Sequence, residues 1–153
     1  MIQRIQSLYL FIAAVLSALL LTGTLMEMKD IFGNIYTMGA FNMTVTIEGK
    51  TQVQSLLPLA IIIAAVPLAC LVSVFLFRNR HLQMKFALAS LLLALGSLFV
   101  ASFYLIMLGK KIEMSYIWHI KALFPLAEAL LCWLAYRAIK KDEEKVRSMD
   151  RIR

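Results

Sequence analysis

Glu128 is the residue whose type and surroundings are best suited to chemistry. It lies inside an apolar run, ten residues after Trp118 and eight before Tyr136. If this run crosses a bilayer, the carboxyl lies near the middle, where a charge costs at least about 2.5 kcal/mol and needs a partner inside the protein. Such a group can titrate protons or bind a cation, with Lys121 and His119 at the outer mouth of its path.

Two prolines strengthen this functional interpretation. Pro125 and Pro67 each remove a helix hydrogen bond, which would free the carbonyls of Lys121 and Ile63 and kink both helices. Broken helices in corresponding halves of a chain indicate binding sites in transporters. The candidate intramembrane polar site therefore consists of Glu128, Lys121, His119, Pro125 and Pro67.

A structural role is the favoured interpretation of the Glu128 carboxyl. The sequence offers no second ionisable group at the same depth, so a proton relay lacks its next member. A protonated carboxyl bonded to a serine on another helix, such as Ser90 or Ser97, would fix helix packing instead.

The composition of the chain excludes most soluble classes. Of its 153 residues, 61% are hydrophobic and 16% are charged. The mean hydropathy is +0.80, which leaves too few polar residues to cover the surface of a soluble domain. This excludes an ordinary cytosolic enzyme, a disordered chain and a disulfide-stapled secreted module.

Four apolar runs predict an all-α fold, an antiparallel four-helix transmembrane bundle. Each run is long enough to cross a bilayer, which requires about 20 helical residues. The whole chain, 1–153, is then one membrane domain with an outer loop at 27–55 and a tail at 140–153. The first run is expected to be retained, because it is longer than a signal-peptide core. The predicted spans are 8–26, 56–77, 86–108 and 117–139.

The distribution of Lys and Arg predicts the orientation. An even number of spans puts both termini on one side, and that side carries most of the basic residues. Basic loops stay in the cytoplasm, so both termini are expected there. The predicted cytoplasmic basic surface consists of Arg4, Arg78, Arg80, Lys85, Arg137, Lys140, Lys141, Arg147, Arg151 and Arg153.

The outer loop predicts a small β-rich cap. Residues 41–47 and 51–54 contain strand-forming residues on either side of a turn at Gly49. Residues 35–38 are a candidate third strand after the turn signal at Gly33. Alternation puts Phe41, Met43 and Val45 on one face, which we expect to lie on the outer ends of the helices.

Small residues predict where the helices pack closely. Lipid gives no hydrophobic drive between helices, so close backbone approach must supply the packing energy. Cys70 and Cys132 both lie inside predicted spans and are interpreted as small buried hydrophobic residues. The predicted helix-packing seam consists of Ala87, Ser90, Ala94, Ser97 and Ala101, at steps of three and four.

No motif predicts catalysis. The sequence contains no nucleophile elbow, no glycine-rich phosphate loop and no His or Cys spacing typical of a metal site. We therefore expect no enzyme activity, no cofactor and no metal. The expected partners are the bilayer, anionic lipid headgroups near the basic tail, and either a membrane-protein partner or further copies of this chain, but not nucleic acid.

The two ends of the chain resemble a known family. The opening MIQRIQSLYL and the closing RAIKKDE, followed by VRS and DRIR, look like those of small bacterial four-span proteins of unknown function. This resemblance implies a bacterial inner-membrane protein and implies no activity. It also suggests that the functional surface of the protein is cytoplasmic and is formed by both termini.

Three functions are consistent with these observations. The leading expectation is an accessory or scaffold subunit of a membrane complex. The alternative is a small oligomeric proton- or cation-coupled transporter or channel that uses Glu128. A third, based on architecture alone, is an adhesion protein similar to the claudins, although the outer loop has no cysteine to staple such a sheet.

Overall fold

The computed structural model of the chain describes residues 2–47, 49–77, 79–109 and 114–150. Within this part, four helices and five strands follow one another, with a 3-10 turn at Ile120–Leu123 before the last helix. The helices are α1 Ile2–Leu20, α2 Leu57–Phe75, α3 Arg80–Gly109 and α4 Phe124–Asp150. The strands are β1 Thr24–Asp30, β2 Ile35–Gly39, β3 Asn42–Ile47, β4 Lys50–Ser55 and β5 Met114–Trp118.

The prediction of an all-α fold is wrong. The strands form one antiparallel sheet in the order β4-β3-β2-β1-β5, so the protein is mixed α/β. The expected hairpin around Gly49 is present, and so is the third strand, but β1 and β5 were not expected. Both strands adjoin apolar runs, and hydropathy does not distinguish an apolar strand from the end of a span.

Two of the helices therefore have different bounds from the predicted spans. α1 ends at Leu20, and the chain up to Met26 turns and enters β1. α4 begins at Phe124, because Ile117 and Trp118 belong to β5. Among the described residues, three helices are long and apolar enough to cross a membrane, namely Leu57–Phe75, Arg80–Met107 and Ile120–Val146, while Ile5–Leu20 is a shorter apolar helix.

The helices pack in a closed ring, in which α1 and α3 each contact both α2 and α4. Small side chains fill the centre of this ring, as close backbone approach requires. Ala87, Ser90, Ala94 and Ser97 of the predicted seam are buried, and Ala101 is half-buried. Further buried small residues come from α1 and α4: Ala13, Ala14, Ala129 and Ala135.

The sheet covers one end of the helices with an apolar inner face. Its buried side chains pack in one cluster with Leu20, Leu56 and Leu59 at the ends of α1 and α2. α3 is longer than α2 by more than two turns, and its last part adds Val100, Tyr104 and Leu105 to the cluster. The buried residues of the inner face are Met26, Met28, Tyr36, Met38 and Met43.

A side chain of α1 binds the backbone carbonyl that Pro67 leaves without a partner in α2. Proline has no N–H, so the carbonyl of Ile63, four residues earlier, loses its partner within the helix. The Ser17 hydroxyl donates to this carbonyl at 3.1 Å and is fully buried. The carbonyl that the proline frees thereby accepts a hydrogen bond from another helix, and this bond holds α1 and α2 in register.

This arrangement predicts that Ser17 and Pro67 are energetically coupled. Ser17→Ala should destabilise the protein by about 0.6 kcal/mol, the average for hydrogen bonds between membrane helices. In a Pro67→Ala background the loss should approach zero, because position 67 then supplies the N–H for the Ile63 carbonyl. SDS-induced unfolding in mixed micelles measures all four proteins of the cycle.

Ser148→Ala is the matched control. The Ser148 hydroxyl donates to the carbonyl of Lys145 within the same helix, and this hydrogen bond is exposed. This substitution should have no effect in either background. Equal costs of Ser17→Ala with and without Pro67 would contradict the coupling.

Candidate functional site

A cluster of buried polar side chains occupies the interior of the helical part. It consists of Ser17 from α1, Cys70 from α2, Ser90 from α3, and Glu128 and Cys132 from α4, and we call it the polar core. Every member is at most 1% exposed. Each helix therefore contributes at least one polar group to the same buried region.

Glu128 is the one ionisable carboxylic acid of the polar core. It lies four residues after the start of α4 and is 1% exposed. The Ser17 hydroxyl faces its carboxyl, and Oε1 has no hydrogen-bond partner among the described residues.

The two cysteines meet in the polar core, which the sequence did not predict. The sulfur atoms of Cys70 and Cys132 are 3.8 Å apart and form an S–H···S contact between α2 and α4. Both cysteines are free and buried. The Ser90 hydroxyl lies beside both thiols and donates to the carbonyl of Ala87 at 2.9 Å. Residues 62 positions apart give no local signal, so only the packing of the helices reveals this pair.

Pro125 does not break a helix as predicted, and Lys121 contacts Thr22 beyond the end of α1. Lys121 lies in the 3-10 turn, and its ammonium donates to the backbone carbonyl of Thr22, just past the end of α1. Pro125 is the second residue of α4 and begins the helix instead of breaking it. The Lys121 carbonyl is not freed, because it accepts a hydrogen bond from the N–H of Phe124.

His119 lies on the sheet side of the 3-10 turn, apart from the polar core. Its Nε2 is 3.5 Å from Oε1 of Glu27, a residue of β1. Both side chains are partly exposed. The candidate polar site is therefore divided. Glu128 lies in the polar core, and Pro67 leaves free the Ile63 carbonyl that Ser17 of the polar core binds. Lys121, Pro125 and His119 lie near the sheet.

A cavity of about 90 Å³ lies between the polar core and the sheet, and we call it the sheet cavity. Met26 and Met38 line it from the sheet, Ile63 from α2, and Lys121 from the 3-10 turn. Its polar lining is limited to Ser97, Ser102 and Lys121.

A second polar group joins three helices at the end opposite the sheet. The buried Gln6 side chain of α1 donates to Oδ2 of Asp142 in α4. Arg80 of α3 donates to the Asp142 carbonyl at 3.4 Å, and His81 lies 3.3 Å from Glu143. The first turns of the tail are therefore packed against α1 and α3.

The basic residues at this end have different environments. Lys85, Lys140 and Lys141 are exposed, and the guanidinium of Arg137 stacks on the ring of Trp133 at 4.8 Å from its centroid. Arg78, Arg151 and Arg153 lie outside the described residues, as do the side chains of Arg4 and Arg147.

Comparison with known proteins places the chain in a family without assigning it a role. In the described part of the chain, no three His, Cys, Asp or Glu residues come together in a way that could hold a metal ion. No curated protein matches the chain. The family described as a domain of unknown function, DUF4293, matches residues 2–152. The match covers almost the entire sequence, and the chain belongs to this family.

Proposed function

We propose that this protein is a non-enzymatic accessory subunit of a bacterial inner-membrane complex, with both termini in the cytoplasm. The hydrogen bond from Gln6 of α1 to Asp142 of α4 supports both termini on one side of the membrane, and the surplus of basic residues on that side supports a cytoplasmic location. The sheet then lies outside the cytoplasm, where it is available to the outer part of another membrane protein.

The observation that carries this proposal is the apolar tip of the β1–β2 hairpin. Ile31 is 70% exposed and Phe32 is 78% exposed. Turns in water normally carry polar residues, because exposed side chains of this size gain nothing from the solvent. Two adjacent large apolar side chains at a turn are suited to insertion into a pocket of a partner protein.

The hairpin holds this tip in a fixed conformation. The N–H of Gly33 donates to the Asp30 carbonyl, and the N–H of Asp30 donates to the Asn34 carbonyl, both at 3.0 Å. Gly33 has a φ of +80°, which glycine adopts without steric cost. β1 and β2 each have a neighbouring strand on both sides. A partner would therefore bind a preorganised tip and would not have to order it.

The position of the tip favours a protein partner over the bilayer. Asp30, next to Ile31, pairs with Met114 at the end of β5 farthest from the 3-10 turn and α4. The opposite end of this strand pair, Met26 with Trp118, adjoins the helices. Since β1 spans seven residues, the tip is about 20 Å along the strand from the end of α1.

The tail is a weaker candidate for docking. Asp142 and Glu143 already bind Gln6, Arg80 and His81 within the same chain. The exposed lysines nearby, Lys140 and Lys141, are suited to anionic headgroups, at about 1 kcal/mol for each well-placed cation.

Substitution of the tip should release the partner. In affinity purification of the full-length protein from native membranes, Phe32→Ser should reduce the recovered partner at least tenfold, because buried aromatic anchors contribute about 2 kcal/mol or more. Quantitative mass spectrometry of the co-purified proteins measures this loss.

Val53→Ser is the matched control, because Val53 is also an exposed apolar residue but lies on the edge strand β4. It should leave recovery unchanged. Recovery of further copies of this chain as the only tip-dependent partner would replace the accessory role with the adhesion-type alternative. Equal recovery with both variants would contradict a partner site at the tip.

Labelling of single cysteines should test the orientation. In a Cys70→Ala/Cys132→Ala background, a membrane-impermeant maleimide added to intact spheroplasts should label Gln52→Cys in β4. It should label Lys145→Cys in α4 only after permeabilisation, since both positions are exposed on the protein itself. The reverse pattern would contradict the proposed orientation.

One observation favours the transport alternative. The Glu128 carboxyl is buried, and its Oε1 lacks a hydrogen-bond partner among the described residues. A group in this state is available to accept a proton or a cation. Ser17 and the thiols of Cys70 and Cys132 supply polar atoms near it from the three other positions of the polar core on α1, α2 and α4.

Proton flux separates this alternative from the accessory role. In proteoliposomes containing a pH-sensitive dye, a transporter should show at least tenfold lower proton flux with Glu128→Gln, because the substitution removes the carboxylic acid of the polar core. Glu144→Gln, at an exposed position of α4, is the control. If the wild-type protein gives no flux above empty liposomes, the transport alternative is wrong.

A further inference from the structure

The sheet cavity has the chemistry of a site for an amphipathic molecule. Its walls are apolar side chains from the sheet, α1, α2, α3 and α4, with Ser97, Ser102 and Lys121 as the polar groups. A volume of about 90 Å³ exceeds that of a single water several-fold. A cavity of this size takes a segment of a few methylene groups, and burying that segment of a hydrocarbon chain gains free energy.

Methionine makes the sheet wall of this cavity adaptable. Met26, Met38 and Met43 are direct cross-strand neighbours in β1, β2 and β3, and all are buried on the inner face. Met26 and Met38 line the cavity. Methionine is flexible and polarisable, and surfaces rich in it accommodate ligands of irregular shape. β-branched residues, which strands normally favour, would give a stiffer wall.

Lys121 is a cation without a carboxylate partner at the wall of the cavity. Its ammonium has three N–H groups, and one of them donates to the Thr22 carbonyl. Within the described ranges, Lys121 forms no ion pair with an acidic side chain. An uncompensated cation beside an apolar cavity is suited to an anionic head attached to an apolar chain.

Two local features fix this cation in place. Thr22 follows the end of α1, where the helix dipole places partial negative charge on the last carbonyls. Gly23 has a φ of +73°, and a Cβ at this position would lie 3.0 Å from the Lys121 Nζ atom. Glycine therefore leaves the space that the ammonium occupies.

The position of the cavity matches the boundary between hydrocarbon and headgroups. It lies where α1 ends at Leu20 and α2 begins at Leu57, which is the end of the apolar helices. Trp118 lines it and is 64% exposed, and tryptophan prefers the headgroup level of a bilayer. A lipid of the outer leaflet can reach this level without leaving the membrane.

We propose that the sheet cavity binds an anionic phospholipid, with an acyl chain between Met26, Met38 and Ala101 and the phosphate at the Lys121 ammonium. A free inorganic anion would leave the apolar walls empty, so the lipid is the better fit. This proposal does not depend on the accessory role, because the cavity is separate from the tip of the β1–β2 hairpin.

Fluorescence quenching of Trp118 tests this site directly. In a Trp133→Phe background Trp118 is the only tryptophan, and the full-length protein in mild detergent is titrated with lipids brominated on the acyl chain. Half of the Trp118 fluorescence should be quenched at a phosphatidylglycerol concentration about fivefold lower than the phosphatidylcholine concentration that has the same effect. This ratio corresponds to the contribution of roughly one well-placed cation to the binding free energy.

Variants of the cation separate the site from general attraction to charge. Lys121→Gln should remove the preference for phosphatidylglycerol while its amide can still donate to the Thr22 carbonyl. Lys121→Arg should keep the preference. Lys85→Gln, at an exposed position of α3, is the control and should also keep it.

Variants of the cavity test the acyl chain. Ala101→Leu should fill the cavity and weaken quenching by both lipids, while Ala127→Leu, at an exposed position of α4, should leave it unchanged. The proposal is overturned if Lys121→Gln and Lys85→Gln have equal effects, or if Ala101→Leu leaves quenching intact. Displacement of the brominated lipid by excess inorganic phosphate would instead assign the cation to a free anion.

Discussion

The antiparallel pairing of β1 with β5 is the interaction on which the sheet end of the molecule depends. It runs from Met26 with Trp118 to Asp30 with Met114 and joins the two connections that leave the helices at this end. Because Trp118 is fixed beside β1, the 3-10 turn that follows must begin next to the end of α1. Lys121 thereby reaches the Thr22 carbonyl, and Trp118 and Lys121 form one wall of the sheet cavity.

The helical part follows a different constraint. Three of its helices are long and apolar enough to cross a membrane, where lipid would give no hydrophobic drive between them. Small residues allow close approach, and hydrogen bonds supply specificity. Ser17 illustrates this best, because its hydroxyl binds the Ile63 carbonyl that Pro67 leaves free and also faces Glu128. One serine thus connects a helix break, a helix contact and the buried carboxyl.

The helical part and the sheet carry different features at different positions along the molecule. The polar core lies within the helices, the sheet cavity lies at their end, and the tip with Ile31 and Phe32 lies at the far end of the hairpin. The two proposals therefore concern separate places, with lipid in the sheet cavity and a protein partner at the tip. Neither contact requires a change in the helices.

The sequence by itself determined those features that depend on local pattern. Apolar runs predicted the helices, alternation around Gly49 predicted the hairpin of β3 and β4, and the two ends of the chain indicated the family. Each of these signals is contained within a few residues of the element that it predicts. Pro67 likewise predicted a free carbonyl at Ile63, although not the hydroxyl that binds it.

Only the tertiary structure decided the features that depend on distant partners. The apolar end of Met114–Trp118 predicts the start of a span. The segment forms a strand because β1, more than 80 residues earlier, supplies its hydrogen-bond partners. Pro125 changes from a helix break to a helix start for the same reason, since β5 and the 3-10 turn delay the beginning of α4. Cys70 meets Cys132, and Lys121 meets Thr22, through contacts between elements far apart in the chain. Local hydropathy carries no information about such contacts, because it records the character of a segment and not the segment against which it packs.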